Sequence, residues 1–317
     1  MKTLLVLQAL GLGDFLTALP ALRALGAALP GHRRVLAMPA ALAPLARLAG
    51  VADEVVDARP LAPLPPLTPP PDVAVNFHGS GPQSHHVLLA TRPRRLFAFA
   101  HPDVAESVGG AVFDAEEHVV ERWCRLLAGY GIEADATQLE LLPPGRRLPV
   151  AAPAHARGAT VIHPGAASAA RRWPAERFAA VARAERHAGR RMIVTGNADE
   201  RVLATSIARA AGIDEADVYA GRTSLVELAA LVAAAGRVVC GDTGVAHLAT
   251  ALRTPSVVLF GPVSPKQWGP PSERTWHRVL WTGGTGDPHG ATLDAGLAAI
   301  GVHDVLAALE ELTEAVA

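Results

Sequence analysis

The sequence predicts an α/β protein built as two consecutive doubly wound domains, and three observations carry this. Aliphatic strand-like runs alternate with helical runs from end to end, the pattern of a parallel sheet with crossover helices. The alternation stops in a Pro-, Gly- and Ala-rich stretch from Leu142 to Gly158 and then starts afresh. The chain has 317 residues, about twice the usual domain size. The domains are therefore expected at 1–150 and 151–317, facing an interdomain cleft. No 20–50-residue repeat is visible.

Thr3–Ala9 reads as a buried strand, and Asp14–Ala28 as a helix that begins at a polar residue. Arg33–Met38 is the second strand and Ala40–Ala49 the second helix. Seven prolines between Pro60 and Pro71 enforce an extended loop. Strand Asp72–Phe77, helix Gln83–Ala90 and strand Arg94–Phe99 follow. Helix Glu116–Gly129 puts Val119, Val120, Trp123, Leu126 and Leu127 on one face. In the second half the expected strands are Ala159–His163, Arg191–Thr195, Asp217–Ala220, Arg237–Cys240 and Ser256–Phe260. The expected helices are Pro174–His187, Ala198–Ala211, Ser224–Ala235, Val245–Leu252 and the acidic Val302–Ala315. The last of these is also given the option of packing back on the first domain.

Composition narrows the function classes. Half the residues are hydrophobic and 19% are charged, ordinary values for a globular core. Net charge is −1, from 29 basic and 30 acidic residues without a basic block, so nucleic acid is not an expected partner. Lys2 and Lys266 are the only lysines, which with the abundant alanine reads as coding bias of a high-GC genome. Cys124 and Cys240 are too few for a disulfide framework or a zinc site and fit a reducing cytoplasm. The apolar run after Lys2 is broken by Gly11, Gly13 and Asp14, which argues against a cleaved leader. No apolar run reaches the ~18–20 residues of a membrane span, so at most peripheral membrane contact is expected. A soluble cytoplasmic monomer is the expectation.

Ligands of open α/β sheets sit beyond the carboxyl ends of the strands, so the strand-to-helix turns are the places to search. The first is Gly11-Leu12-Gly13-Asp14. Its glycines let the backbone bend and approach a ligand. Asp14 reads either as a helix cap or as a catalytic carboxylate. Thr17 stands where a third glycine would complete a dinucleotide fingerprint. The second turn runs from His163-Pro164-Gly165 to Arg171-Arg172-Trp173-Pro174. Small residues before a helix start, joined to two guanidinium groups, form either an anion cradle or a solvated arginine pair beside a core tryptophan. The third, Gly241-Asp242-Thr243-Gly244-Val245-Ala246-His247, offers backbone N–H groups and a helix dipole to a pyrophosphate. His247 lies one turn into that helix and reads as a ligand or as a satisfied structural histidine.

Three weaker candidates accompany these. Asn76-Phe77-His78-Gly79-Ser80-Gly81, followed by Gln83 and His85-His86, is placed to hold a hydroxylated acceptor or is an ordinary polar loop. Thr195-Gly196 through Glu200 is placed to reach a ribose or an adenine edge, with a first-turn helix acid as the plain reading of Glu200. The stiff Phe260–Pro271 segment forms either a wall of the same site or a rigid connection. There is no P-loop, Gly-x-Ser-x-Gly, His-Glu-x-x-His or Asp-x-Asp motif, so P-loop NTPase, α/β-hydrolase and zincin chemistry are not expected.

In order and spacing, the three turns resemble the heptosyltransferases of glycosyltransferase family 9. The resemblance rests on Gly11 through Pro20, His163-Pro164-Gly165 through Pro174, Gly241 through Ala249 and Phe260-Gly261-Pro262. It implies a GT-B fold of two Rossmann-like domains, the first binding the acceptor and the second a nucleotide sugar. It also implies inverting, metal-independent transfer from an ADP-sugar, with no cofactor. Asp14 would be the general base. Arg171 would stand where the family commonly has a lysine, paired with the donor phosphates. Asp242, Thr243, Gly244 and His247 would hold pyrophosphate and sugar, Glu200 and the backbone near Thr223 would lie by the nucleoside, and Arg172, Thr195 and Gly196 would be further donor-binding residues. Gly11, Gly13, His78, Gly79 and Gln83 would meet the acceptor, be it a glycan, a lipid-linked sugar or a secondary metabolite. The alternatives are a sugar-nucleotide epimerase or hydrolase of similar fold, and a noncatalytic nucleotide-sugar-binding protein.

Overall fold

A computed structural model describes residues 2–316. It contains two compact units, Met1–Arg146 and Arg147–Ala317. Each is a five-stranded, all-parallel sheet flanked by helices.

The first sheet is formed by β1 (Lys2–Leu7), β2 (His32–Met38), β3 (Glu54–Asp57), β4 (Val73–Asn76) and β5 (Arg95–Phe97), in the order β3-β2-β1-β4-β5. Its helices are α1 (Leu12–Thr17), α2 (Leu19–Ala28), α3 (Ala43–Leu48), α4 (Gln83–Leu89) and α5 (Val119–Ala128). Leu4, Leu5, Val6 and Leu7 of β1 are buried, as befits a central parallel strand covered on both faces. The single helix expected over Asp14–Ala28 is two helices. They part at Ala18 because Pro20 has no N–H to give the carbonyl of Leu16. The Ala40–Ala49 helix likewise opens with a 3₁₀ turn, Ala40–Leu42. Edge strand β3 lies where no strand was expected. Its residues are half-buried or exposed, so it lacks the continuous apolar run of a central strand.

The second sheet is formed by β6 (Thr160–His163), β7 (Met192–Val194), β8 (Arg237–Gly241), β9 (Ser256–Leu259) and β10 (His277–Leu280), ordered β10-β9-β8-β6-β7. Its helices are α6 (Ala175–His187), α7 (Arg201–Ala211), α8 (Leu225–Ala234), α9 (Gly244–Leu252), α10 (Pro265–Trp268), α11 (Ala295–Ala299) and α12 (Val302–Val316). The strand expected over Asp217–Ala220 is absent. Glu215–Asp217 is a 3₁₀ turn, Val218 makes one isolated bridge to Val194, and Asp217 bonds Arg191 at 2.9 Å. Edge strand β10, carrying the charged Arg278, was not expected.

The last helix packs within its own unit, where Val305, Ala308, Leu309 and Leu312 join the core around Trp173 and Phe178. Its Leu309 carbonyl accepts from Arg237, whose guanidinium also pairs with Glu185 at 2.7 Å inside the core. Among the described residues, no helix is long and apolar enough to cross a membrane.

Helix α8 starts on a capping box. The Ser224 hydroxyl accepts the Glu227 N–H at 3.3 Å, and the Glu227 carboxylate accepts the Ser224 N–H at 2.7 Å. Replacing Ser224 by alanine is expected to cost about 1 kcal/mol, read as a lowered midpoint in denaturant or thermal melts.

Candidate functional site

In each sheet the strand order reverses between two neighbours, β1/β4 in the first and β6/β8 in the second. Such switch points open a crevice at the carboxyl ends of the strands. Within each sheet the register brings the two loops out side by side, Leu7 beside Asn76 in the first and His163 beside Cys240 in the second. Each pair contains turns that the sequence singles out.

The first unit's switch point carries the Gly11–Asp14 turn and the 77–82 loop. Gly11 is exposed, whereas Gly13 and Asp14 are half-buried. Asp14 is the third residue of α1, and its Oδ2 accepts the Gly11 N–H at 3.1 Å. Its carbonyl receives Gln8 Nε2 at 2.8 Å and Thr17 Oγ1 at 3.0 Å. The carboxylate is thus held at the helix start, on a residue that is only half-buried, in keeping with the capping reading. On the neighbouring loop, Asn76 is fully buried and acts as organiser. Its Nδ2 donates to the Gly79 carbonyl at 3.2 Å and to Ser84 Oγ at 2.8 Å, and its Oδ1 accepts the His78 N–H at 3.0 Å. Burial lowers the His78 pKa, which favours the neutral ring. Gly79 borders open space and Gln83 is exposed. Gly81 has φ +88°, and a Cβ there would fall 1.7 Å from His85 Nδ1, so only glycine fits.

The second unit's switch point joins the loop after β6 to the start of α9. Arg171 Nη2 donates to the Asp242 carbonyl and, at 3.1 Å, to Asp242 Oδ2. Asp242 is buried, so the guanidinium neutralises a carboxylate that would be costly alone. Two polar atoms flanking this pair, Arg171 Nε and Thr243 Oγ1, are hidden and have no hydrogen-bond partner. Thr243 is the N-cap of α9, yet its own side chain makes no capping hydrogen bond. The N-terminus of α9 combines these groups with the positive end of a nine-residue helix. An anion bearing several oxygens can satisfy all of them. Gly244 opens α9, and His247, one turn on, meets the Trp268 ring edge-on at 6.0 Å. Arg172 is exposed and donates its Nε–H to the Ala166 carbonyl at 2.9 Å.

The loop after β7 divides its residues between core and surface. Thr195 is fully buried, and its hydroxyl bonds His163 Nδ1 at 3.0 Å, so that hydroxyl is directed into the core. Glu200 accepts the Asn197 N–H at 2.8 Å and returns its own N–H to Asn197 Oδ1 at 3.0 Å. Its carboxylate lies over Gly165, where a Cβ would fall 2.0 Å from Oε1. Gly196 packs beneath the same side chain, and Thr223 is half-buried just ahead of α8. Burial lowers the His163 pKa and the nearby Glu200 charge opposes this. The partnership of His163 with Thr195 and that of Trp268 with His247 escaped the sequence reading; aromatic and imidazole residues at strand-end turns were their only signal.

Neither cysteine is a nucleophile candidate. Burial pushes the Cys124 thiol up to about 12 and raises that of Cys240 further. Among the described residues, no group of three His, Cys, Asp or Glu side chains is arranged to hold a metal ion.

Residues 110–283 match the glycosyltransferase family 9 (heptosyltransferase) family. Lipopolysaccharide heptosyltransferase 2 of Salmonella typhimurium is 32% identical over 117 residues, 36% of this chain and 34% of that protein. Lipopolysaccharide heptosyltransferase 3 of Escherichia coli is 30% identical over 158 residues, 48% and 45% of the two chains. The match thus spans about a third to a half of these relatives. In solved structures the fold recurs in E. coli ADP-heptose lipopolysaccharide heptosyltransferase II, with a TM-score of 0.74 at 23% identity over the whole of both chains. It recurs also in E. coli heptosyltransferase WaaC with ADP, with a TM-score of 0.70 at 17% identity over 98% of this chain and 100% of that one. The fold is GT-B, two Rossmann-like units, as the sequence predicts.

Proposed function

The chain belongs to glycosyltransferase family 9, and from that premise we propose that it transfers a heptose or related sugar from an ADP-sugar to an acceptor hydroxyl, inverting the anomeric carbon without a metal. The acceptor is a glycan, a lipid-linked sugar or a secondary metabolite. The observation that carries this reading is the anion-ready switch point of the second unit: Arg171 on Asp242, with Arg171 Nε and Thr243 Oγ1 unpartnered at the start of a helix whose N-cap side chain makes no capping bond.

In the proposed reaction the acceptor oxygen bonds to the anomeric carbon as the bond from that carbon to the diphosphate oxygen breaks. Asp14 takes the hydroxyl proton, a role suited to a carboxylate kept in place by the Gly11 N–H. The departing ADP gains negative charge. Arg171 and the amides at the start of α9 stabilise it, fixed donors that need no reorganisation as charge develops. Thr243, Gly244 and His247 line the phosphate and sugar end. Glu200, Gly196 and Thr223 lie on the nucleoside side. The Thr195 hydroxyl, engaged with His163, serves the loop's shape in place of direct contact. Arg172 likewise supports the 166–172 loop. In the acceptor half, His78, Gly79 and Gln83 join Gly11 and Gly13 around Asp14.

The test is ligand-induced stabilisation. At about 100 times Kd, ADP or an ADP-sugar is expected to add about 2.7 kcal/mol, a rise of several degrees in Tm, with UDP, GDP and dTDP sugars well below that. Absence of any shift with ADP compounds overturns the donor assignment. Sugar release without an acceptor would instead favour a hydrolase.

A further inference from the structure

We infer that Trp268 is a specificity residue, the wall on which the donor's sugar ring rests, so that the site selects a sugar nucleotide over the bare nucleotide. The inference deepens the donor reading above and rests on it. Trp268 ends α10, a single turn built to hold it still. Ser264 Oγ accepts the Lys266 N–H at 3.2 Å, and Pro265 opens the turn. The Gly269 N–H closes on the Pro265 carbonyl at 2.7 Å, where a Cβ would fall 2.5 Å from that oxygen. The turn leaves the carboxyl end of β9, the neighbour of β8, and so stands beside the start of α9. Its indole meets the His247 ring at 6.0 Å and 67°.

The exposure of the residue distinguishes it from a core tryptophan. Trp123 and Trp173 are each 3% exposed, whereas Trp268 and His247 are only half-buried. A large apolar surface is thus held rigid and partly open. Burying such surface is favourable at about 25 cal/mol per Å². The position also suits a sugar. His247 lies four positions beyond Thr243, about 6 Å along the helix axis, the scale of one pyranose ring. The transferred sugar is bonded directly to the outer phosphate, so a diphosphate held at the α9 start brings it to the His247–Trp268 pair. Pyranose C–H groups carry partial positive charge, which the negative face of an indole attracts.

Binding of ADP and of ADP-heptose to wild type, Trp268→Ala and Trp268→Phe, measured by calorimetry, tests this. Trp268→Ala is expected to weaken ADP-heptose about 10-fold while leaving ADP within about twofold, and Trp268→Phe is expected to recover most of the loss. Equal effects on both ligands, including no effect on either, would overturn the inference while leaving the donor reading intact. If wild type binds neither ligand, the donor reading itself fails, and the inference with it. Should Trp268→Ala not fold, Trp268→Leu, closer in bulk but without a π face, serves in its place and is expected to show the same selective loss.

Discussion

Asp14→Asn is expected to lower kcat by about 10²–10⁴-fold, with ADP-sugar affinity and Tm close to those of wild type. The amide is nearly isosteric, and its carbonyl oxygen can still accept the Gly11 N–H that Asp14 Oδ2 accepts at 3.1 Å. The helix start therefore survives the exchange. Proton acceptance does not, because an amide oxygen is far too weak a base to take the acceptor's proton. Steady-state kinetics with separately varied donor and acceptor check the split. A variant that folds, binds donor and turns over at the wild-type rate would remove Asp14 from the mechanism.

Arg171→Ala is expected to have two separable effects. Donor affinity should fall about 100-fold, from loss of charge-assisted hydrogen bonds to the diphosphate. Stability should fall by about 1–2 kcal/mol, because Asp242 keeps its charge in a buried place without the guanidinium that now neutralises it. The cost is set below that of a fully buried pair because the Arg171 side chain is 23% exposed. Adding Asp242→Asn should return the stability but not the donor affinity. Arg171→Lys should keep the charge and lose the planar fork, and is expected to bind donor more tightly than the alanine variant. Thermal melts and ADP titrations on the set separate the two effects. Unchanged ADP affinity in Arg171→Ala would remove the guanidinium from the donor site.

Much of the candidate site was legible because its signals are local. A glycine pair before an acid, two arginines before Trp-Pro, and Asp-Thr-Gly after an aliphatic strand each lie within a dozen residues. Their place at strand ends follows from periodicity alone. The central strands β1, β4, β6 and β8 were legible for the same reason, since burial on both faces imposes an unbroken apolar run. Edge strands β3 and β10 were not, because one-sided pairing leaves charged residues such as Glu54 and Arg278 among them. The 217–220 segment erred in the other direction. Its apolar content suggested a strand, but a 3₁₀ turn and the ion pair of Asp217 with Arg191 take up the backbone and side chain first. At Thr195 the residue's place after a strand was legible, whereas the direction of its hydroxyl depended on His163, 32 residues away.

Residue order thus settled which turns are chemically equipped and that two parallel α/β sheets would carry them, because both follow from propensities and spacings over a few residues. Folding in three dimensions settled which turns are neighbours. Strand order brings the loop of Arg171 to Asp242 across 71 residues, and that of Asp14 beside that of Asn76. Contacts of that range depend on how whole strands pair and which face each covers, quantities that no short window of sequence contains.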